Sequence, residues 1–164
     1  MNLRFVATVP RGFSDLLAAE VTALGGQNVR DQVGGVQFEG SLRTGYNVLL
    51  ESRLASRVLL EVASGPVATT DEFYQLARGV DWREHMDPNG TLACEFTGKH
   101  PAITNTHFGA LKLKDAICDQ LRDTTKLRPT IETTRPDVSV HAHAQRGQVS
   151  LSIDLAGDAL SRRG

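Results

Sequence analysis

Cysteine is scarce: Cys94 and Cys118 are the only two in 164 residues. Two are too few for a disulfide framework, and their spacing excludes a CxxC zinc ribbon. Both read as small buried hydrophobes of a reducing cytosol. Aromatic residues make up only 5%, which argues against a nucleic-acid surface built as a stacking platform. No apolar run approaches the roughly 20 residues that span a bilayer, and the N-terminus lacks the apolar block of a signal peptide. The chain therefore reads as soluble and cytoplasmic. Charge of one sign is missing too: 18 basic against 19 acidic residues leave a net of −1. A strongly electrostatic nucleic-acid binder is excluded, although a local basic patch is not. GxGxxG, GxxxxGK[ST], GxSxG and HExxH are all absent, so neither a nucleotide cradle, a nucleophile elbow nor a metal helix is present.

Hydrophobic periodicity supplies the architecture. Leu3, Phe5, Ala7 and Val9 alternate as in a half-buried strand. Ser14 is the expected N-cap of a helix carrying Leu17, Val21 and Leu24, which Gly25-Gly26 ends. Val29–Val33 and Val36–Glu39 flank Gly34-Gly35, a hairpin signal. Thr44 is expected to cap a helix bearing Tyr46, Leu49 and Leu50, and Arg57–Ala63 reads as a buried strand. Strand, helix, strand, strand, helix, strand is a ferredoxin-like split βαβ unit. Beyond a break at Ser64-Gly65-Pro66, Asp71–Ala77 predicts a helix capped by Thr70 or Asp71. Trp82 is expected as a packing anchor, Asp87-Pro88-Asn89-Gly90 as a turn, and Leu92–Thr97 as a strand. The longest helix runs from Thr106 to Thr124 with a Leu113, Ile117 and Leu121 stripe. The last hairpin joins Val138, Val140, Ala142 and Ala144 to Val149, Leu151, Ile153 and Leu155.

Two places invite chemistry. His141 and His143 share one strand face, and Asp154 comes from the neighbouring strand; one suitable pair is too little for zinc. With Ser139, Gln145, Gln148, Ser150 and Ser152 they make a polar sheet face, expected to be solvated or to meet a partner. The stronger candidate is the loop and helix start around Lys99, Asn105, Thr106, His107, Gly109, Lys112 and Lys114. Helix N–H groups attract anions, the lysines and histidine add charge, and Gly109 is expected to admit a phosphate or sugar closely. A plainly capped helix with solvated lysines accounts for the same residues. Arg53 and Arg57 read either as a second contact or as a structural ion-pair network. From Glu95 to Gly164 the chain carries ten basic and eight acidic residues, against eight and eleven before.

Blocks spread along the chain carry a resemblance. They include Phe5-Val6-Ala7-Thr8-Val9-Pro10-Arg11-Gly12, Gly35-Val36-Gln37-Phe38-Glu39-Gly40, Ser52-Arg53-Leu54-Ala55-Ser56-Arg57-Val58 and Asp81-Trp82. Asn105-Thr106-His107-Phe108-Gly109-Ala110, Lys114-Asp115-Ala116-Ile117, Arg135-Pro136-Asp137-Val138 and the closing Leu155–Gly164 segment complete the set. In this order they resemble the N-terminal part of bacterial large-subunit ribosomal RNA guanine-N2 methyltransferases. The resemblance implies an α+β fold with a ferredoxin-like domain over residues 1–68 and a THUMP RNA-binding domain over 69–160, the family boundary starting near 44. It implies RNA capture and substrate positioning, with Lys99, Asn105, Thr106, His107, Gly109, Lys112, Lys114, Arg53 and Arg57 as the expected contacts. It implies no catalytic residue, metal or cofactor in this chain. S-adenosylmethionine belongs to the methyltransferase domain that follows in the full-length family members, so the chain is expected to be a piece of a longer polypeptide. Its expected partners are large-subunit ribosomal RNA and that domain in cis, with no membrane and a monomeric fragment. The alternative is a ferredoxin-like regulatory or dimerisation module that binds a partner or metabolite.

Overall fold

The computed structural model describes residues 2–32, 35–132, 134 and 136–156. The chain divides into two compact units, residues 1–61 with 154–156, and residues 62–153. Gly34 of the first hairpin, Arg135 and the closing 157–164 lie outside the described residues.

The first unit contains β1 (Leu3–Thr8), α1 (Ser14–Ala23), β2 (Gln27–Gln32), β3 (Gly35–Gly40), α2 (Leu42–Glu51) and the first part of β4 (Arg57–Pro66). Its strands lie in the order β2-β3-β1-β4, with every neighbouring pair antiparallel. Strands β1 and β2 therefore run parallel with β3 inserted between them, the split βαβ arrangement that the element order predicts. The alternation of β1 turns Phe5 and Ala7 inward, and Phe5 stands opposite Phe38 with the rings stacked at 5.1 Å.

Two expectations about its helices are corrected. Ser14 is the first helical residue of α1, and Phe13 before it makes no side-chain cap. Helix α2 is capped by Ser41, whose hydroxyl accepts the Thr44 N–H at 3.2 Å, because Ser41 has the extended backbone a cap requires. The buried face of α2 is Gly45 and Val48, while Leu50 is 76% exposed. Gly45 sets this rotation: a Cβ there would collide with the Phe5 ring, so its absence lets the helix settle on β1.

The second unit holds the rest of β4, α3 (Thr70–Arg78), a 3₁₀ turn at Trp82–Glu84, β5 (Thr91–Gly98), α4 (Thr106–Thr125), β6 (Thr130–Ile131), β7 (Val138–Gln145) and β8 (Gln148–Asp154). Strand β4 continues through Ser64 and Gly65 and ends at Pro66, where a break was expected; proline is tolerated at a strand end. Thr69 caps α3, in place of Thr70 or Asp71. Its hydroxyl accepts the Glu72 N–H at 3.1 Å, while the Glu72 carboxylate accepts the Ala68 N–H at 2.9 Å.

Within this unit the strands lie in the order β8-β7-β5-β6. The β7–β8 hairpin turns at Arg146 and Gly147, both at positive φ. Strand β5 pairs in parallel with both β7 and β6. Helices α3 and α4 cover this sheet through Phe73, Ala77, Leu113, Ile117 and Leu121. Trp82 is fully buried among them and its indole N–H donates to the Ala77 carbonyl at 2.8 Å, so it is the anchor expected of it. Cys118 is buried, Cys94 half-buried, and burial pushes both thiols upward.

Candidate functional site

The loop from β5 to α4 is held from within by one imidazole. His100 is only 6% exposed. Its Nδ1 accepts the Ala102 N–H at 3.0 Å, so Nε2 carries the proton and donates to the Val67 carbonyl at 2.6 Å. Val67 in turn donates its N–H to Gly147 at 2.9 Å, and the His100 carbonyl accepts from Ile103 at 3.2 Å. Lys99 stays exposed beside this pin, and its backbone N–H donates to Ala144 at 3.3 Å. Asn105 then caps α4: its carboxamide oxygen accepts the N–H groups of His107 at 2.8 Å and Phe108 at 3.2 Å.

Two expectations change here. The N–H of Gly109 is used as well, by the Asn105 carbonyl at 3.0 Å, so three of the first N–H groups of α4 already have acceptors. These N–H groups are therefore not open donors for a bound anion. Gly109 is buried, and a Cβ on it would stand 2.6 Å from Phe96 Cγ and 3.1 Å from Ile103 Cγ2. Its lack of a side chain serves helix-to-sheet packing, and the close approach of a phosphate expected there is corrected.

The lysines diverge. Positions two apart on a helix point about 200° from each other. The Lys112 ammonium lies 5.9 Å from the ring centroids of both Tyr74 and Phe108. Lys114 instead pairs with Asp115 at 3.0 Å and lies on the side of Cys118. Around Lys112 the α3–α4 seam is a charged row. The Tyr74 hydroxyl donates to Asp119, and Arg78 reaches both that hydroxyl, at 2.9 Å, and Asp123. Arg122 pairs with Asp119 at 3.3 Å. The Asp119 acceptor pushes the Tyr74 phenol above its ordinary pKa, more than burial does. Phe108 and Leu111 are each 42% exposed on the same helix. Sequence reasoning passed over Phe108 and Tyr74; the i, i+4 spacing of Phe108 to Lys112 was the available signal.

In the first unit, Arg53 donates its backbone N–H to Glu20 at 3.1 Å, and Glu20 also accepts the Ser52 hydroxyl. These bonds, Ser52 first, hold the Glu20 carboxyl below the usual range. The Arg53 side chain is exposed, and Arg57 stands exposed on β4 opposite Thr8.

The polar face of β7 and β8 is not uniformly wet. The parallel register of β5 places Glu95 beside His141, with Oε2 and Nδ1 2.8 Å apart, and Thr97 beside His143 at 2.9 Å. Ser152 is 6% exposed. Among the described residues no three His, Cys, Asp or Glu side chains form a group able to hold a metal. No described helix is long and apolar enough to cross a membrane.

A ferredoxin-like unit preceding a parallel-paired sheet covered by two helices defines an α+β protein with two recognisable domain types. Residues 67–154 match the model of the THUMP domain, and residues 4–59 match that of the RlmL ferredoxin-like domain. The chain belongs to the THUMP domain family. It is 48% identical over 157 residues to the ribosomal RNA large subunit methyltransferase K/L of Pseudomonas aeruginosa, covering 96% of this chain and 22% of that protein. The chain thus spans about a fifth of the length of the curated relatives it matches. Among solved structures it is similar to a predicted N6-adenine-specific DNA methylase from Listeria monocytogenes, with a TM-score of 0.81 at 21% identity, covering 94% of this chain and 40% of that one. A 4-thiouridine synthetase in complex with RNA and ATP aligns with a TM-score of 0.63 at 11% identity, covering 94% and 41%. These two likenesses concern the fold.

Proposed function

We propose that this chain is the RNA-binding and substrate-positioning part of a ribosomal RNA (guanine-N2) methyltransferase that works in the cytoplasm. The colinear match to large-subunit ribosomal RNA methyltransferases over 96% of the chain carries this reading. The RNA complex of a structural neighbour supports it. Residues 1–68 are assigned as the ferredoxin-like domain and 69–160 as the THUMP domain. S-adenosylmethionine and the catalytic groups belong to a methyltransferase domain outside these residues. This chain has no GxGxxG-type loop to cradle a cofactor, and no step of methyl transfer is assigned to it.

Within the second unit the contact set is Lys99, Thr106, His107 and Lys112, with Asn105 shaping the helix start beneath them. Lys114 lies on another face, and Arg53 and Arg57 form a separate basic pair in the first unit. With about four phosphate contacts, log affinity should fall against log salt with a slope near −3, using roughly −0.7 to −0.9 per contact. Filter binding of large-subunit ribosomal RNA fragments measures that slope. Lys112→Ala should reduce it by about one contact, while Lys114→Ala leaves it unchanged. A parent chain that fails to bind any such fragment at low salt defeats the reading. A tight dimer without RNA affinity, seen by light scattering, would replace it with the regulatory module.

A further inference from the structure

The ring of Phe108 is only partly covered by the protein. Helix α4 buries Gly109, Leu113, Ala116, Ile117 and Leu121 on its core side, yet Phe108 stands 42% exposed. Its backbone is fixed, because its N–H donates to the Asn105 cap at 3.2 Å. One turn further, the Lys112 ammonium lies 5.9 Å from the Phe108 centroid and the same distance from that of Tyr74. Tyr74 is itself held through its hydroxyl by Asp119 and Arg78. The two carboxylates along this seam, Asp119 and Asp123, are engaged by Arg78 and Arg122. Lys112 is then left as the cation beside a partly exposed aromatic ring. That combination fits an anion attached to a flat π system better than a purely aliphatic partner.

Building on the RNA-binding reading above, we infer that Phe108 is a stacking seat for one unpaired nucleobase, with Lys112 holding the phosphate of that nucleotide. A paired base inside a duplex has both faces covered, so only a terminal, bulged or looped-out base presents a face to the ring. Stacking reads no base edge, so the seat selects for unpairedness and is tolerant of sequence. It differs from a stacking platform in offering one position only, which is consistent with the low aromatic content.

The test uses the 164-residue chain and two RNA hairpins of equal charge. One is blunt; the other is two pairs shorter and carries a four-nucleotide overhang containing 2-aminopurine. The parent should bind the overhang RNA at least about fivefold tighter than the blunt one and quench the 2-aminopurine. Phe108→Leu should erase this preference while leaving blunt-hairpin affinity and the thermal midpoint as in the parent, since the ring is 42% exposed and leucine keeps its apolar contact. Phe108→Trp should restore both preference and quenching. If Phe108→Leu retains the preference, or Phe108→Trp loses it as Leu does, the stacking seat is refuted. A parent that binds both hairpins equally also refutes it while RNA binding stands. A parent that binds neither defeats the RNA-binding reading itself.

Discussion

Replacing Gly109 with alanine should destabilise the protein, although the helix rule alone predicts the opposite. Glycine inside an α-helix costs roughly 0.8–1.0 kcal/mol relative to alanine, so the substitution in a free helix would stabilise by that amount. In α4 the added Cβ would stand 2.6 and 2.7 Å from Cγ and Cδ2 of Phe96 and 3.1 Å from Cγ2 of Ile103. These are atoms at the root of a ring that is 4% exposed and packed edge-on against Phe73 at 5.5 Å, so the ring cannot swing aside. Overpacking of this kind costs about 1–3 kcal/mol, and contacts under 3 Å belong in the upper part of that range. A net loss of about 1–2 kcal/mol follows, or about 2–8 °C in the thermal midpoint for a chain of this size. Calorimetry of Gly109→Ala reads the shift. Adding Phe96→Ala, which removes the clashing Cγ and Cδ2, should give a favourable coupling in the double-mutant cycle. An unchanged or raised midpoint for Gly109→Ala would refute the packing argument.

His100→Leu should lower stability by about 1–3 kcal/mol per stranded partner, since the Val67 carbonyl and the Ala102 N–H both lose their bonds. His100→Gln, which can both donate and accept, should keep much of that loss from appearing in denaturant melts. Ultraviolet titration should find the Tyr74 phenol above the ordinary tyrosine range, and Asp119→Asn should bring it down by removing the charged acceptor. Glu20 is held below its ordinary pKa in the folded chain, so the unfolded chain binds more protons at mildly acid pH. Its contribution is therefore present at neutral pH and lost as pH falls below the usual carboxylate range. Glu20→Gln should flatten that part of the stability–pH curve, and Ser52→Ala should do the same in part.

The first unit was legible in sequence because its contacts are near in sequence and its strands alternate cleanly: Leu3 to Val9, the β2–β3 hairpin and β4 each carry their own signal. The caps were misplaced by one to three residues because hydroxyls cluster there, and only backbone conformation decides between Ser41 and Thr44, or Thr69 and Thr70. What remained hidden was the parallel pairing of β5 with β7, across 46 residues, since no local pattern encodes the partner of a parallel strand. That pairing gives His141 and His143 their neighbours Glu95 and Thr97, which turns an apparently solvated histidine face into a partly engaged one. The same kind of contact decides the basic cluster. Lys112 and Lys114 are two letters apart and look like one patch, but helical rotation separates them. Only the packing of α3 on α4 shows that Lys112 meets Tyr74 and Phe108 while Lys114 turns to Asp115. The patch proposed around Lys112 therefore leaves out Lys114, which turns to Asp115, and takes in two aromatic rings. An RNA contact built there depends on ring faces as well as charge, so its affinity should retain a salt-insensitive component when the phosphate term is screened.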